Sequence, residues 1–298
     1  MGASGGRVTR WPRAGLWALA LALAAGAGPA AAVQPGASHA VLPAKLRMKA
    51  EDVSFLTADS VRVSGWWFQG PKDAPAVVIA DRGTGTMADM LPVAKEFQAR
   101  GFHVLTFDYR GFGPGSGPQA ADTLKYVVFS SQWVEDMVAA FRYARSRGGR
   151  HVFGFGQDAG SAVALAAAAR ERTVCDGVAV EGLFRTSQEF LLLNGTASIP
   201  GVTEQNRRLV EFNDEPFSAV GRLMVPMLAL LAGKDDVTPP DVTRKVAARA
   251  LVRGDTWALP EAGHAGAELL PGYFDRVSRW FKQWLAYPYG GQPQPPGQ

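Results

Sequence analysis

The chain has 298 residues, of which 47% are apolar and 19% charged, with a formal net charge of +4. That is enough apolar mass for one full core in a single domain, and too little charge for a largely disordered chain. No dense Lys/Arg cluster with interleaved aromatics appears, which disfavours a nucleic-acid partner.

Residues 1–32 stand apart from the fold. Arg7, Arg10 and Arg13 form a positive segment, Leu16 to Leu23 an apolar one, and Ala30-Ala31-Ala32 supplies small residues for cleavage. Together they read as a secretory signal peptide, and the apolar run is short for a spanning helix, which needs about 20 residues. The expectation is export to a periplasm or the outside, with no stable membrane insertion after cleavage. Without its three arginines the chain keeps 28 basic against 27 acidic residues, a net charge of +1. The single cysteine, Cys175, precludes an internal disulfide and reads as a small buried residue. Residues 288–298, rich in Pro, Gly and Gln, read as a disordered tail. The domain then spans 33–287.

Residues 33–50 read as an extended lead-in. Val53–Thr57 and Val61–Phe68 flank Ala58-Asp59-Ser60 as a hairpin. Ala76–Ala80 is wholly apolar, as suits a strand covered on both faces. Alternation follows: a helix over Met87–Arg100 ended by Gly101, a strand over Phe102–Phe107, a helix over Ser131–Arg147 and a strand over His151–Phe155. Next come a helix over Ala159–Arg170 and strands at Gly177–Val180 and Pro226–Leu231. A helix over Asp241–Leu251, a short strand at Thr256–Leu259 and an amphipathic helix over Tyr273–Ala286 close the domain. Such alternation gives an α/β fold, a mostly parallel sheet with helices on both faces. Residues 182–222 break the rhythm and are long enough to be functional.

The chemistry-bearing residues fall on loops that follow strands. Gly156-Gln157-Asp158-Ala159-Gly160 is a Gly-x-X-x-Gly turn between strand and helix, the form of a nucleophile elbow, with Asp158 where Ser is usual. Asp235 and Asp236 follow the Pro226 strand, and either is a candidate acid. His264 follows the last strand within Gly263-His264-Ala265-Gly266. The order nucleophile, acid, His at the carboxyl ends of parallel strands is where such sheets hold ligands.

With these segments, Asp108-Tyr109-Arg110-Gly111-Phe112-Gly113 and Val225-Pro226-Met227-Leu228 leading to Gly233-Lys234-Asp235-Asp236, the chain resembles the α/β-hydrolases of the serine-aminopeptidase-like type. The resemblance covers roughly 53–286. It implies a cofactor-independent hydrolase acting on a small-molecule substrate, with Asp158, Asp235 and His264 as the catalytic set. It also implies an oxyanion hole from the N–H of Ala159 and of Thr84 or Gly83, and residues 182–222 lie where the family carries a lid. Asp81-Arg82 replaces the family's His-Gly pair, and Arg82 is a candidate substrate-binding residue.

Aspartate at the elbow is similar to the haloalkane dehalogenases and epoxide hydrolases, where a carboxylate attacks an sp³ carbon and a His then activates water against the ester. Ala159 stands where those families usually carry Trp. Trp66, Trp67 and Trp133 are candidate halide-facing aromatics. The alternative is a catalytically inactive α/β-hydrolase-fold binding or scaffold protein, with Asp158 paired to Arg82. Ser161 reads as a backbone-bonding residue, Ser116 as loop structure, and Asp108 and Arg110 as bonding within their own loop. His39, His103 and His151 have no motif around them. No cluster has metal-ligand spacing.

Overall fold

The structure is a computed structural model describing residues 34–114, 126–264 and 266–286. The signal-like stretch 1–32, Ser116 and the tail 288–298 lie outside the described residues.

Eight strands form the main sheet: β2 (Glu51–Leu56), β3 (Arg62–Phe68), β4 (Ala76–Ala80), β6 (His103–Phe107), β7 (Val152–Gln157), β8 (Gly177–Glu181), β9 (Met227–Lys234) and β10 (Gly254–Gly263). Their spatial order is β10-β9-β8-β7-β4-β6-β3-β2. β2–β3 and β3–β6 run antiparallel and the other pairs run parallel. Two further short strands, β1 (Gln34–Pro35) and β5 (Thr84–Gly85), pair with each other. This is the α/β-hydrolase fold that the resemblance implies.

The alternation of side chains along β4 divides the core. Ala76, Val78 and Ala80 face one apolar cluster, while Val77 and Ile79 face the other. The first cluster takes in α2 (Ser131–Ser146) and α3 (Ala159–Arg170), the second α1 (Leu91–Ala99) and α8 (Tyr273–Gln283). A strand covered on both faces has no polar side to present, which accounts for the unbroken apolar run of β4. α3 is enclosed more tightly: Ala162, Ala164 and Ala166 to Ala168 are almost wholly buried. A helix apolar all round belongs inside the molecule, and its alanines let it approach the sheet closely.

Between β8 and β9 the chain forms α4 (Ser187–Leu193), α5 (Val202–Leu209) and α6 (Pro216–Ala219), and α7 (Pro240–Ala247) follows β9. The inserted helices are tied to the body by the buried Asn206, which accepts from the N–H of Val128 at 2.8 Å and donates to the carbonyl of Tyr126 at 3.0 Å.

Several elements differ from the sequence reading. Residues Met87–Met90 form a 3₁₀ turn that hands over to α1 at Leu91. Thr86 and Asp89 make a reciprocal capping box there, and a 3₁₀ turn is a common start for an α-helix. α7 is shorter than expected, ending at Ala247. β10 is longer than Thr256–Leu259 because its pairing with β9 resumes after an irregularity between Leu259 and Gly263. Pro260 sits inside that irregularity, a place where an edge strand tolerates its missing N–H. Among the described residues no helix is long and apolar enough to cross a membrane.

Candidate active site

The elbow is built by two glycines that no other residue could replace. A β-carbon on Gly156 would lie 2.2 Å from the carbonyl oxygen of Gly160, and one on Gly160 would lie 2.4 Å from that of Asp81. The chain therefore turns tightly from β7 into α3. At its apex Asp158 adopts φ 53° and ψ −123°, a strained positive-φ conformation that glycine adopts more readily than other residues. The apex is held by its own N–H, which donates to the Glu181 carbonyl at 3.0 Å. From the other side Ser161 Oγ donates to the Asp158 carbonyl at 2.6 Å. Ser161 thus has the backbone role its position suggested.

Gly182, the first residue beyond β8, leaves the space that the Asp158 carboxylate occupies. A β-carbon there would lie 2.7 Å from Asp158 Oδ1 and 3.2 Å from Thr238 Oγ1. Asp235 follows β9, and its Oδ1 accepts from the N–H groups of Val237 at 2.9 Å and Thr238 at 2.8 Å. Its Oδ2 accepts from Thr238 Oγ1 at 2.7 Å. Asp236 points to solvent, so Asp235 is the carboxylate that faces the site. The irregularity in β10 brings the chain round so that His264 follows Gly263. His264 Nδ1 lies 3.2 Å from Asp235 Oδ1 and 3.6 Å from Asp158 Oδ1. The structure brings Asp158, Asp235 and His264 together, with one imidazole nitrogen facing both carboxylates.

Electrostatics follow from that geometry. Burial raises the Asp158 carboxyl above its ordinary value, against the pull of His264 and Arg82. Burial works the same way on Asp235, but the hydrogen bonds from His264 and Thr238 prevail and hold it below the usual range. Burial disfavours the His264 cation, yet Asp235 and Asp158 outweigh it and push the imidazole up to about 9.

The other candidates come out differently. Ala159 opens α3 with its N–H at the helix N-terminus. The Gly83 N–H is already engaged, donating to Asp81 Oδ1 at 2.7 Å, and Thr84 lies exposed in the β5–β1 pairing. The lead-in segment that pairs with this loop gives no sequence signal of doing so. Arg82 is not paired with Asp158. Its Nη2 donates to Gln157 Oε1 at 2.6 Å and to Glu268 Oε1 at 2.5 Å, and Nε donates to Gln157 Oε1 at 3.1 Å. A guanidinium fixed in this way braces the site rather than standing free for a ligand. Trp66, Trp67 and Trp133 are core residues. The indole N–H groups of Trp66 and Trp67 go to Asp52 and Gln69, and Trp133 stacks on Tyr109 at 5.4 Å. Asp108 and Arg110 bond beyond their own loop. Asp108 accepts from the Met87 N–H at 2.8 Å and lies 2.7 Å from His39 Nε2, while Arg110 holds Asp136 and Asp59. His103 accepts from the Gly70 N–H at 2.9 Å.

Sequence reasoning missed a buried polar group beneath the elbow. Gln157 Nε2 donates to Glu181 Oε2 and Glu268 Oε2, each at 3.2 Å, and Tyr273 donates to Glu181 Oε2 at 2.6 Å. Burial and the nearby Glu268 charge push Glu181 up to about 8. The one available signal was the Gln between Gly156 and Asp158, a polar residue ending an otherwise apolar strand. Among the described residues, no group of three or more His, Cys, Asp or Glu side chains is arranged to hold a metal ion.

The fold and the arrangement of the site are similar to those of the α/β-hydrolases. Residues 71–193 match the family model described as serine aminopeptidase, S33. An uncharacterised protein of Mycobacterium tuberculosis is 27% identical over 262 residues, covering 86% of this chain and 85% of its own. The protein bem46 of Schizosaccharomyces pombe is 23% identical over 221 residues, covering 71% of this chain and 69% of its own. Among solved structures, an esterase of Pyrococcus furiosus superposes with a TM-score of 0.68 at 18% identity, covering 85% of this chain and 98% of its own. At that identity the likeness speaks for the fold alone.

Proposed function

We propose that this chain is an exported, cofactor-independent hydrolase in which Asp158 attacks an electrophilic sp³ carbon of a small, largely apolar substrate, an alkyl halide or an epoxide. The observation that carries this reading is a carboxylate held on a strained, positive-φ backbone at the elbow, 3.6 Å from His264. Such strain costs on the order of 1–3 kcal/mol, and a fold with no use for the carboxylate loses nothing by placing Gly there.

In the first step an Asp158 oxygen bonds to carbon as the carbon–halogen bond or one epoxide C–O bond breaks, and an ester forms on the enzyme. The break releases halide, or leaves on the neighbouring carbon an alkoxide that takes a proton from solvent. In the second, neutral His264, oriented by Asp235, takes a proton from water. The hydroxide adds to Asp158 Cγ, the ester C–O bond breaks, the leaving alkoxide takes the proton from His264, and the carboxylate returns as its acid proton passes to solvent. The Ala159 N–H, at the positive end of α3, supports the oxyanion on Cγ. The helices of 182–222 act as a lid over this site. Export is part of the reading, supported by residues 1–32; N-terminal sequencing of exported protein should begin at Val33.

One turnover in heavy-oxygen water tests the covalent route. Attack at Cγ leaves the label in Asp158 and delivers an unlabelled alcohol. Label in the first product instead means that water attacked the substrate directly, and the covalent reading fails.

A second reading has its own support. His264 pushed up to about 9 is a cation at neutral pH, which withholds the free base and suits an ion-paired, non-catalytic binding site. Absence of turnover across esters, amides, halides and epoxides from neutral pH to pH 10 favours that reading.

A further inference from the structure

Glu268 lies four residues beyond His264, on the 3₁₀ turn Ala267–Leu269. Both of its oxygens are used. Oε1 accepts from Arg82 Nη2 at 2.5 Å, and Oε2 accepts from Gln157 Nε2 at 3.2 Å. Those partners belong to the other two walls of the site, since Gln157 immediately precedes Asp158 and Arg82 stands on the loop after β4. The contacts span 186 and 111 residues of sequence, so they tie together segments that share no local structure. The tie is well shielded, with the Glu268 side chain 10% exposed and Gln157 buried. Charge adds strength: burial works against the Glu268 carboxylate, but Arg82 prevails and keeps it ionised below the usual range.

The stretch between His264 and Glu268 needs such an anchor. Gly266 takes φ 104°, and a glycine at positive φ gives the loop little stiffness of its own. Ala267 is fully buried, which fixes the loop's depth, and Glu268 fixes its direction towards the elbow.

We propose that Glu268 is a positioning residue, which through Arg82 and Gln157 sets the distance between His264 and Asp158. The proposal rests on the role given to His264 above and extends it to a group that never meets the substrate. Misplacement of a catalytic group by about 1 Å can cost about a hundredfold in rate, which is the scale on which such an anchor acts.

The test reads His264 itself, by NMR titration of the imidazoles, of which the chain has four. His264→Gln assigns the signal. The wild-type midpoint of His264 is expected at about 9, because Asp235 and Asp158 both face it. Glu268→Ala releases the loop, and the midpoint falls by about one unit or more as the carboxylates draw away. Glu268→Gln sets two amide donors against each other and lowers it as well. The double variant Arg82→Met with Glu268→Gln removes one charge of each sign, so the net charge near the imidazole is kept while the tie to Arg82 is lost, and the midpoint stays lowered. If Glu268→Ala does not fold, the Gln and double variants carry the same comparison. An unchanged midpoint in the folded single variants overturns the proposal, and so does a wild-type midpoint in the double variant, which would assign the shift to the lost charge alone. Since the titration needs no turnover, an absence of ester formation at Asp158 is a separate result.

Discussion

Asp235 Oδ1 lies 3.2 Å from His264 Nδ1, and the same carboxylate accepts hydrogen bonds from Val237 and Thr238. The acid is thus fixed before it meets the imidazole, and the His264 cation is the form that this arrangement stabilises.

The first prediction concerns pH. His264 rises on folding from 6.5 to about 9, so its contribution is fully present below pH 6.5 and is lost as pH climbs through 9. Glu181, raised from 4.5 to about 8, gives a loss of the same sign between those values. Thermal or urea unfolding across pH 6–10 should show a decline on the order of 2 kcal/mol from His264, much of which Asp235→Asn removes. The rate of water activation should rise over the same range as the free base appears.

Gly182→Ala should injure both fold and site. The residue sits at φ 69°, and the added β-carbon would stand 2.7 Å from Asp158 Oδ1. A loss of about 1–3 kcal/mol is expected by chemical denaturation, together with loss of any Asp158-dependent activity.

Asp158→Gly should separate strain from chemistry. It relieves the φ 53° backbone and removes a half-buried carboxylate, at the cost of about 0.5–1 kcal/mol for the more flexible unfolded chain. The variant should equal or exceed the wild type in stability while losing all activity. A clear loss of stability would argue against strain at the elbow.

Cys175 should be inert in the folded protein. It is fully buried, and burial pushes its thiol up to about 12. A thiol reagent should react at the rate of unfolding, and quickly in denaturant.

Much of this was legible in the sequence because it depended on local spacing. The apolar run of β4, the Gly-x-Asp-x-Gly turn and the loops carrying Asp235 and His264 each show in a few consecutive residues. What escaped depended on contacts between distant segments. Asp235 and Asp236 look equivalent until Thr238 bonds to one of them. Arg82 looks free until Glu268, far along the chain, closes on it. Gly83 offers an N–H in sequence that Asp81 has already taken. The indoles of Trp66 and Trp67 look available until Asp52 and Gln69 accept their N–H groups.

Intact-mass analysis of His264→Gln protein incubated with a panel of alkyl halides and epoxides tests the central claim most directly. With the base removed, the ester at Asp158 should accumulate as a mass increase equal to the alkyl group less one hydrogen, or to the whole epoxide, and should vanish in the double variant with Asp158→Asn. An adduct that persists without the Asp158 carboxylate, or no adduct across the panel, would contradict Asp158 as the nucleophile.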